Sequence, residues 1–163
     1  METNTIISLS SVIIALSALG ITIYQAYLGR KHNKLSLRPH LHYWFDNSEL
    51  DNVYSFEVIN NGIGPAKVKT FEVTLNGETV EERGTRQLST ALYTVFSGYE
   101  LELTTSYLDK GNCISPNKSI ELFKISFSND TPISEREYKE KLNQISVVIT
   151  YESFYKEIFK LAP

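Results

Sequence analysis

Apolar positions in this chain follow two regimes. Residues 3–29 carry no charged side chain, whereas beyond Arg30 apolar residues come in short runs, often alternating, cut by Gly, Asn, Pro and Ser. The first regime predicts a membrane-spanning helix. At about 1.5 Å per residue, Thr5 to Leu28 is long enough to cross a hydrocarbon core of roughly 30 Å with some tilt. A cleaved signal would need a basic start and a short apolar stretch, but Met1 to Thr5 holds no Lys or Arg. Ala15, Ser17 and Ala18 imitate a cleavage site, yet the uncharged run continues past them through Ile21, Ile23, Tyr24 and Tyr27. The reading is therefore an uncleaved anchor, residues 1–29.

The second regime predicts a mainly β domain. Strands are expected at His40–Phe45, Val53–Asn60, Ala66–Leu75, Glu78–Glu82, Tyr99–Ser106, Ser119–Phe127, Ile145–Tyr151 and Phe154–Leu161, where β-branched and aromatic residues concentrate between turn formers. Asn76-Gly77 predicts a tight hairpin. Ala66 and Val68 share one parity and Phe71, Val73 and Leu75 the other, which predicts a β-bulge near Lys69 and Thr70. Pro132, Ser134 and Glu137 announce a helix carrying Tyr138 and Leu142, and a second helical turn is expected within Arg86–Tyr93. Short antiparallel strands with one crossing helix predict an immunoglobulin-like β-sandwich. Its expected core is Tyr54, Phe56, Val58, Phe123, Ile125, Phe127, Val147 and Ile149, with Ile145 and Tyr151 sharing the parity of the last two. Residues 39–163 suffice for one domain and are too few for two.

Charge sets orientation and excludes one class of partner. Arg30, Lys31, Lys34 and Arg38 follow the apolar run while only Glu2 and the α-amino group precede it, so the C-terminal bulk is expected on the cytoplasmic side. Residues 30–38 read as a basic juxtamembrane linker whose cations meet anionic headgroups. The chain holds sixteen Lys and Arg and nineteen Asp and Glu; without those four cations and Glu2, residues 39–163 keep twelve against eighteen, a net charge of −6. An acidic domain argues against nucleic-acid binding, which needs a positive footprint.

Within the apolar run, Ser8, Ser11, Ala15, Ala18, Thr22, Gln25 and Gly29 recur at spacings of three and four and so share one helix face. Small residues permit close approach of membrane helices, and Ser, Thr or Gln can hydrogen-bond across the contact. The stripe points to self-association or to docking on another membrane protein; equally, a single span tolerates Ser and Ala without any partner. Both readings stay open.

A catalytic constellation is not evident. The three histidines, His32, His40 and His42, lie close together, and the last two would project from one strand face, but a metal site needs further ligands and no spacing selects them. Cys113, the only cysteine, agrees with a reducing compartment and has no His neighbour in sequence to activate it. Gly62-Ile63-Gly64-Pro65 lacks the spacing and the Lys of a phosphate loop and reads as a turn in which Gly supplies positive φ and Pro65 opens the next strand. Glu100 and Glu102 alternate with Leu101 and Leu103 and are expected on a solvent face. The sequons at Asn117 and Asn129 read as chance matches.

The blocks Leu37-Arg38-Pro39-His40-Leu41, Asn60-Asn61-Gly62-Ile63-Gly64-Pro65-Ala66 and Ile149-Thr150-Tyr151-Glu152-Ser153-Phe154-Tyr155, in this order behind a single span, resemble a group of small uncharacterised bacterial single-span membrane proteins with a C-terminal β-sandwich domain. Similar proteins often carry cysteines and a Trp around the last hairpin, where this chain has Tyr151, Lys156 and Phe159. The resemblance implies bacterial origin and architecture and carries no activity over. The expectation is a non-enzymatic interaction or sensor module without cofactor, held at the bacterial inner membrane with its N-terminus outside, its domain facing a protein partner. The alternative is an effector that oligomerises through its helix and perturbs the bilayer.

Overall fold

The computed structural model describes residues 2–48, 52–128 and 133–163. The sequon at Asn129 and the helix-entry role expected of Pro132 lie outside them. The chain divides into two units, residues 1–36 and residues 37–163. The first is one helix, α1 (Glu2–Ser36). By length and composition Thr3–Ser36 suffices to cross a membrane, a requirement that an N-terminal signal sequence meets as well. The helix runs through the expected linker: residues 30–36 are helical, and Leu37 and Arg38 belong to the second unit. Lys34 lies in the last turn, where a cation is favoured by the exposed carbonyls.

The second unit holds two antiparallel sheets and two helices: β1 (Leu41–Ser48), β2 (Val53–Asn60), β3 (Ala66–Leu75), β4 (Glu78–Thr79), α2 (Arg86–Val95), β5 (Leu101–Thr104), β6 (Cys113–Ile114), β7 (Ser119–Phe127), α3 (Glu135–Leu142), β8 (Ile145–Glu152) and β9 (Ile158–Leu161). One sheet has the order β1-β2-β7-β5; the other runs β4-β3-β8-β9, with β6 also pairing on β3. The strands expected at 53–60, 66–75 and 119–127 match β2, β3 and β7 in both bounds. The expected bulge is present, since register shifts between Val68 and Thr70 and leaves Lys69 without a partner on β8. A second, unforeseen shift lies between Phe56 and Glu57 opposite β7, where Leu122 is the extra residue and both Leu122 and Phe123 are buried.

Three expectations about strands are corrected, the first being Tyr99–Ser106, which keeps only Leu101–Thr104. The strand expected at Glu78–Glu82 keeps only Glu78–Thr79. The one expected from Phe154 begins at Ile158, because the Ser153 hydroxyl accepts the N–H groups of Tyr155 and Glu157 at 3.2 Å and bends 153–157 into a turn. Strand β6 was not expected; two residues are too few to show alternation.

All eight expected core residues are buried, none more than 5% exposed. They join side chains from both sheets and from α2 in one cluster. Tyr54 stacks on Tyr138 of α3, ring centroids 3.9 Å apart, and Tyr138 stacks in turn on Phe96 at 5.7 Å. Ser134 caps α3 by accepting the Glu137 N–H at 3.3 Å, but Glu137 accepts from the Tyr99 hydroxyl, so one half of the expected capping box has been diverted to tertiary structure.

Polar side chains tie the layers together. The Tyr43 hydroxyl on β1 donates to the Val147 carbonyl on β8 at 2.8 Å, and the Leu41 N–H donates to the Tyr151 hydroxyl at 3.3 Å, so two bonds cross between the sheets. Gln87 of α2 completes the free stretch of β3 between β6 and β4. Its Oε1 accepts from the Val73 N–H at 2.8 Å, and its Nε2 donates to the carbonyls of Phe71 and Glu82. A side-chain amide thus stands where a neighbouring strand would be.

Burial pushes the Tyr43 hydroxyl well above the ordinary tyrosine range. Because the folded-state value is raised, the contribution of Tyr43 to stability is complete below the unfolded value of about 10 and is lost as pH climbs past it. Urea titrations from pH 9 upward test this. The wild-type unfolding free energy falls more steeply with pH than that of Tyr43→Phe, by up to about 1.4 kcal/mol per pH unit above about pH 10; parallel curves would show that Tyr43 titrates freely.

Candidate interaction surface

The residues with the densest long-range bonding lie where the chain enters the second unit. Asn60, last residue of β2, is fully buried, and its side chain is saturated. Oδ1 accepts from the His40 N–H at 3.1 Å and from the Gly62 N–H at 3.0 Å, while Nδ2 donates to the carbonyls of Gly64 at 2.8 Å and Ile114 at 3.0 Å. Its main chain does as much: Asn60 N–H donates to the Lys118 carbonyl, and its carbonyl accepts from Asn117 N–H. Two N–H donors on one side and two carbonyls on the other fix the amide orientation. One side chain therefore joins the entry segment, the 60–65 turn, β6 and, through its backbone, the turn before β7.

The glycines of this turn have a different role from the one expected. Neither Gly62 nor Gly64 adopts positive φ; that conformation falls to Gly77, Gly84 and Gly111. A Cβ on Gly62 would collide with the backbone of Arg38, Pro39 and His40, and one on Gly64 with the Leu37 carbonyl. The glycines are there because the incoming chain lies directly on them. Asn61 N–H donates to the His40 carbonyl at 2.8 Å and Gly64 N–H to the Arg38 carbonyl at 3.4 Å, so residues 38–40 are strapped along the turn.

Arg38 does more than supply surface charge. Its guanidinium forks onto Glu157, with bonds of 2.8 and 3.3 Å, and lies 5.9 Å from the Phe159 ring centre. The 153–157 turn is thereby brought to the entry segment. Ser153 is buried and organises that turn, in which Lys156 has a φ of 61°. Phe154 and Ile158 stand out from it, 71% and 69% exposed, and Tyr155 is exposed beside Phe154, ring planes at 90°. Ile63 at the tip of the other turn is 70% exposed.

The other singled-out residues are dispersed. On α1, the hydroxyls of Ser8, Ser11 and Thr22 donate to the carbonyls four residues earlier, as do Ser10 and Ser17 off the stripe, while Ala15, Ala18, Gln25 and Gly29 are exposed on the same helix. Arg30 and Lys31 are exposed on its continuation. His40 and His42 are both exposed, and among the described residues no group of three or more His, Cys, Asp or Glu side chains is arranged to hold a metal. Glu100 and Glu102 face solvent, and Cys113 is exposed on β6 opposite Lys67.

Two adjoining hollows open between β1, α3 and the start of β8. One of about 450 Å³ is lined by Phe45, Tyr54, Tyr138 and Leu142, and one of about 230 Å³ reaches Tyr43, Phe56 and Val147. The Tyr138 hydroxyl is buried with no hydrogen-bond partner among the described residues, and burial pushes its pKa up. Neither the hollows nor the Asn60 hub was foreseen. An Asn ending an apolar strand just before Asn-Gly-Ile-Gly-Pro was the available signal for the hub. Comparison with protein-family models and with curated proteins finds no significant match to this chain.

Removing the Asn60 side chain leaves two N–H groups and two carbonyls each short of one hydrogen bond, and a buried group left unsatisfied costs about 1–3 kcal/mol. Asn60→Ala is therefore expected to lower unfolding free energy by at least about 3 kcal/mol, followed by Trp44 fluorescence in urea, while His40→Ala on the exposed side stays within about 0.5 kcal/mol. Equal effects would deny the hub its role. Gly64→Ala is expected to free residues 37–40 from the turn, read as faster amide exchange at His40 and Asn61.

Proposed function

We propose that this chain is a single-pass protein of the bacterial inner membrane whose cytoplasmic domain is a non-enzymatic interaction or sensor module. The observation that carries the reading is the composition of α1, uncharged from Thr3 to Gly29 and basic immediately afterwards at Arg30, Lys31 and Lys34. Such a helix inserts as a span and keeps its cationic flank inside.

An immunoglobulin-like sandwich is the proposed architecture of the module. Strand order supports it: taken in chain order, β1-β2-β7-β5 corresponds to strands A, B, E and D of that fold, and β4-β3-β8-β9 to C′, C, F and G, with β6 as an addition. Domains of this kind present loops and sheet faces to partners on a rigid frame, and the strapped entry segment fixes the end of this frame at which the chain enters. The partner is proposed to be a protein, since the domain's net negative charge disfavours nucleic acid.

The second reading, an effector that oligomerises through α1 and perturbs the bilayer, rests on the face formed by Ser8, Ser11, Ala15, Ala18, Thr22, Gln25 and Gly29. The hydroxyls of Ser8, Ser11 and Thr22 are satisfied within the helix, so this reading leans on close steric approach more than on hydrogen bonds between helices.

Two measurements test these readings. In intact spheroplasts, Cys113 is expected to resist a membrane-impermeant maleimide and to react after lysis, whereas in a Cys113→Ser background Thr3→Cys reacts without lysis; the opposite pattern reverses the orientation, and loss of the N-terminal segment from the mature chain would make it a signal. Ala18→Leu with Thr22→Leu is expected to leave oligomer size and membrane permeability unchanged under the first reading, and to reduce both under the second.

A further inference from the structure

Exposed large apolar side chains are not spread evenly over the second unit. Ile63, Phe154 and Tyr155 lie in two turns and Ile158 directly follows the second, and both turns touch Arg38: the first through the Gly64 N–H and the second through Glu157. The exposure is built in. Ser153 accepts two N–H bonds inside its turn, its own N–H donates to the Glu157 carbonyl at 2.9 Å, and Lys156 N–H closes on the Ser153 carbonyl at 2.9 Å. A turn held this firmly keeps Phe154 out in solvent, and the Asn60 hub does the same for Ile63. Rigid apolar tips in water cost free energy and signify a surface that covers them.

We propose that these two turns form a lipid-contacting rim, with Ile63, Phe154 and Ile158 entering the headgroup layer. The inference rests on the reading of α1 as a membrane span. Chain continuity argues for lipid over a protein: Leu37 follows α1 directly, and eight helical residues after Leu28 advance only about 12 Å, against a headgroup layer of roughly 5–8 Å on each face. Residues that touch Arg38 are thus confined close to the bilayer surface. Composition agrees. Lys156 stands at the tip between the two apolar residues, Tyr155 beside Phe154 supplies the amphipathic ring that favours interfaces, and Arg30, Lys31 and Lys34 of the preceding helix attract anionic headgroups. The other exposed large apolar residues described in the second unit, Trp44 and Phe45 on β1, Tyr93 on α2 and Tyr107 after β5, lie outside these two turns.

The test uses the full chain in vesicles of phosphatidylcholine with about a third phosphatidylglycerol, an anionic surface like that of a cytoplasmic leaflet. In a Cys113→Ser background, single cysteines at Ile63, Phe154 and Ile158 carry an environment-sensitive fluorophore, and quenching by lipids bearing a nitroxide near the headgroup or deep in the acyl chain reports depth. Glu102→Cys is the control, since Glu102 pairs with Ser126, at the end of β7 away from Ser119 and the Asn60 hub. Ala18→Cys reports on the span itself. Expected is shallow quenching at 63, 154 and 158, none at 102, and deep quenching at 18. Quenching at 18 with none at 63, 154 and 158 overturns the rim and leaves the anchor standing; no quenching at 18 overturns the anchor reading and the rim with it. Quenching at 102 equal to that at 154 also overturns the proposal, because the domain would then lie on the membrane without a preferred end. Phe154→Ser with Ile158→Ser is expected to abolish quenching at 63 while circular dichroism stays unchanged, which separates loss of contact from loss of fold.

Discussion

The second unit depends on one buried amide. Asn60 ends a strand of the first sheet, yet its side chain bonds His40, Gly62, Gly64 and Ile114, and Ile114 belongs to a strand that pairs in the second sheet. A buried amide with all four positions filled is stable only where every partner arrives in place, so it selects one arrangement from many that are similarly apolar. The constraint propagates. With residues 38–40 strapped to the turn, Leu41 enters β1 in fixed register opposite Asn60, and the alternation that follows puts His42 and Trp44 outside and Leu41 and Tyr43 inside.

Edges are the next problem for two open sheets, because unpaired strands invite association with other chains. Strand β3 solves it in three pieces, taking β6 at its start, the Gln87 amide in its middle and β4 at its end. Strand β1 is bonded at Leu41 to Tyr151, and its Tyr43 crosses to β8. These side chains also explain the two helices. Helix α2 is placed by what Gln87 must reach, and α3 by the stacking of Tyr138 between Tyr54 and Phe96, so each brings both a polar or aromatic anchor and a cover for the core.

Much of the fold was legible because periodicity is local. Alternation in 53–60 and 119–127 and the parity switch in 66–75 reported strands and one bulge directly, and the buried set followed from parity. What was missed depends on partners distant in sequence. Glu137 looked like a capping residue and instead accepts from Tyr99; Leu122 joins Phe123 in the core because β2 imposes a register that β7 alone does not announce. Phe154, Lys156 and Ile158 alternate as a strand would, but the hydroxyl of Ser153 competes for the backbone at short range and prevails. Basic residues 30–38 read as a linker by charge, although nothing between Arg30 and Ser36 breaks a helix and the chain duly stays helical.

The surface around Arg38 was the least legible for the same reason. A glycine in a sequence signals two different needs, a backbone that must turn to positive φ and a site where another backbone must pass without a Cβ between them. Only the first is local. At Gly77, in an Asn-Gly hairpin, the local need is met, with φ of 86°. At Gly62 and Gly64 the second applies, and the chain that passes is the one descending from α1, more than twenty residues earlier. Once that chain is in place, Arg38 reaches Glu157 and the last hairpin is drawn to the same end of the unit. Three segments that look unrelated in the sequence, 37–40, 60–66 and 153–159, are therefore one structural device, whose shared purpose is to set the domain's entrance.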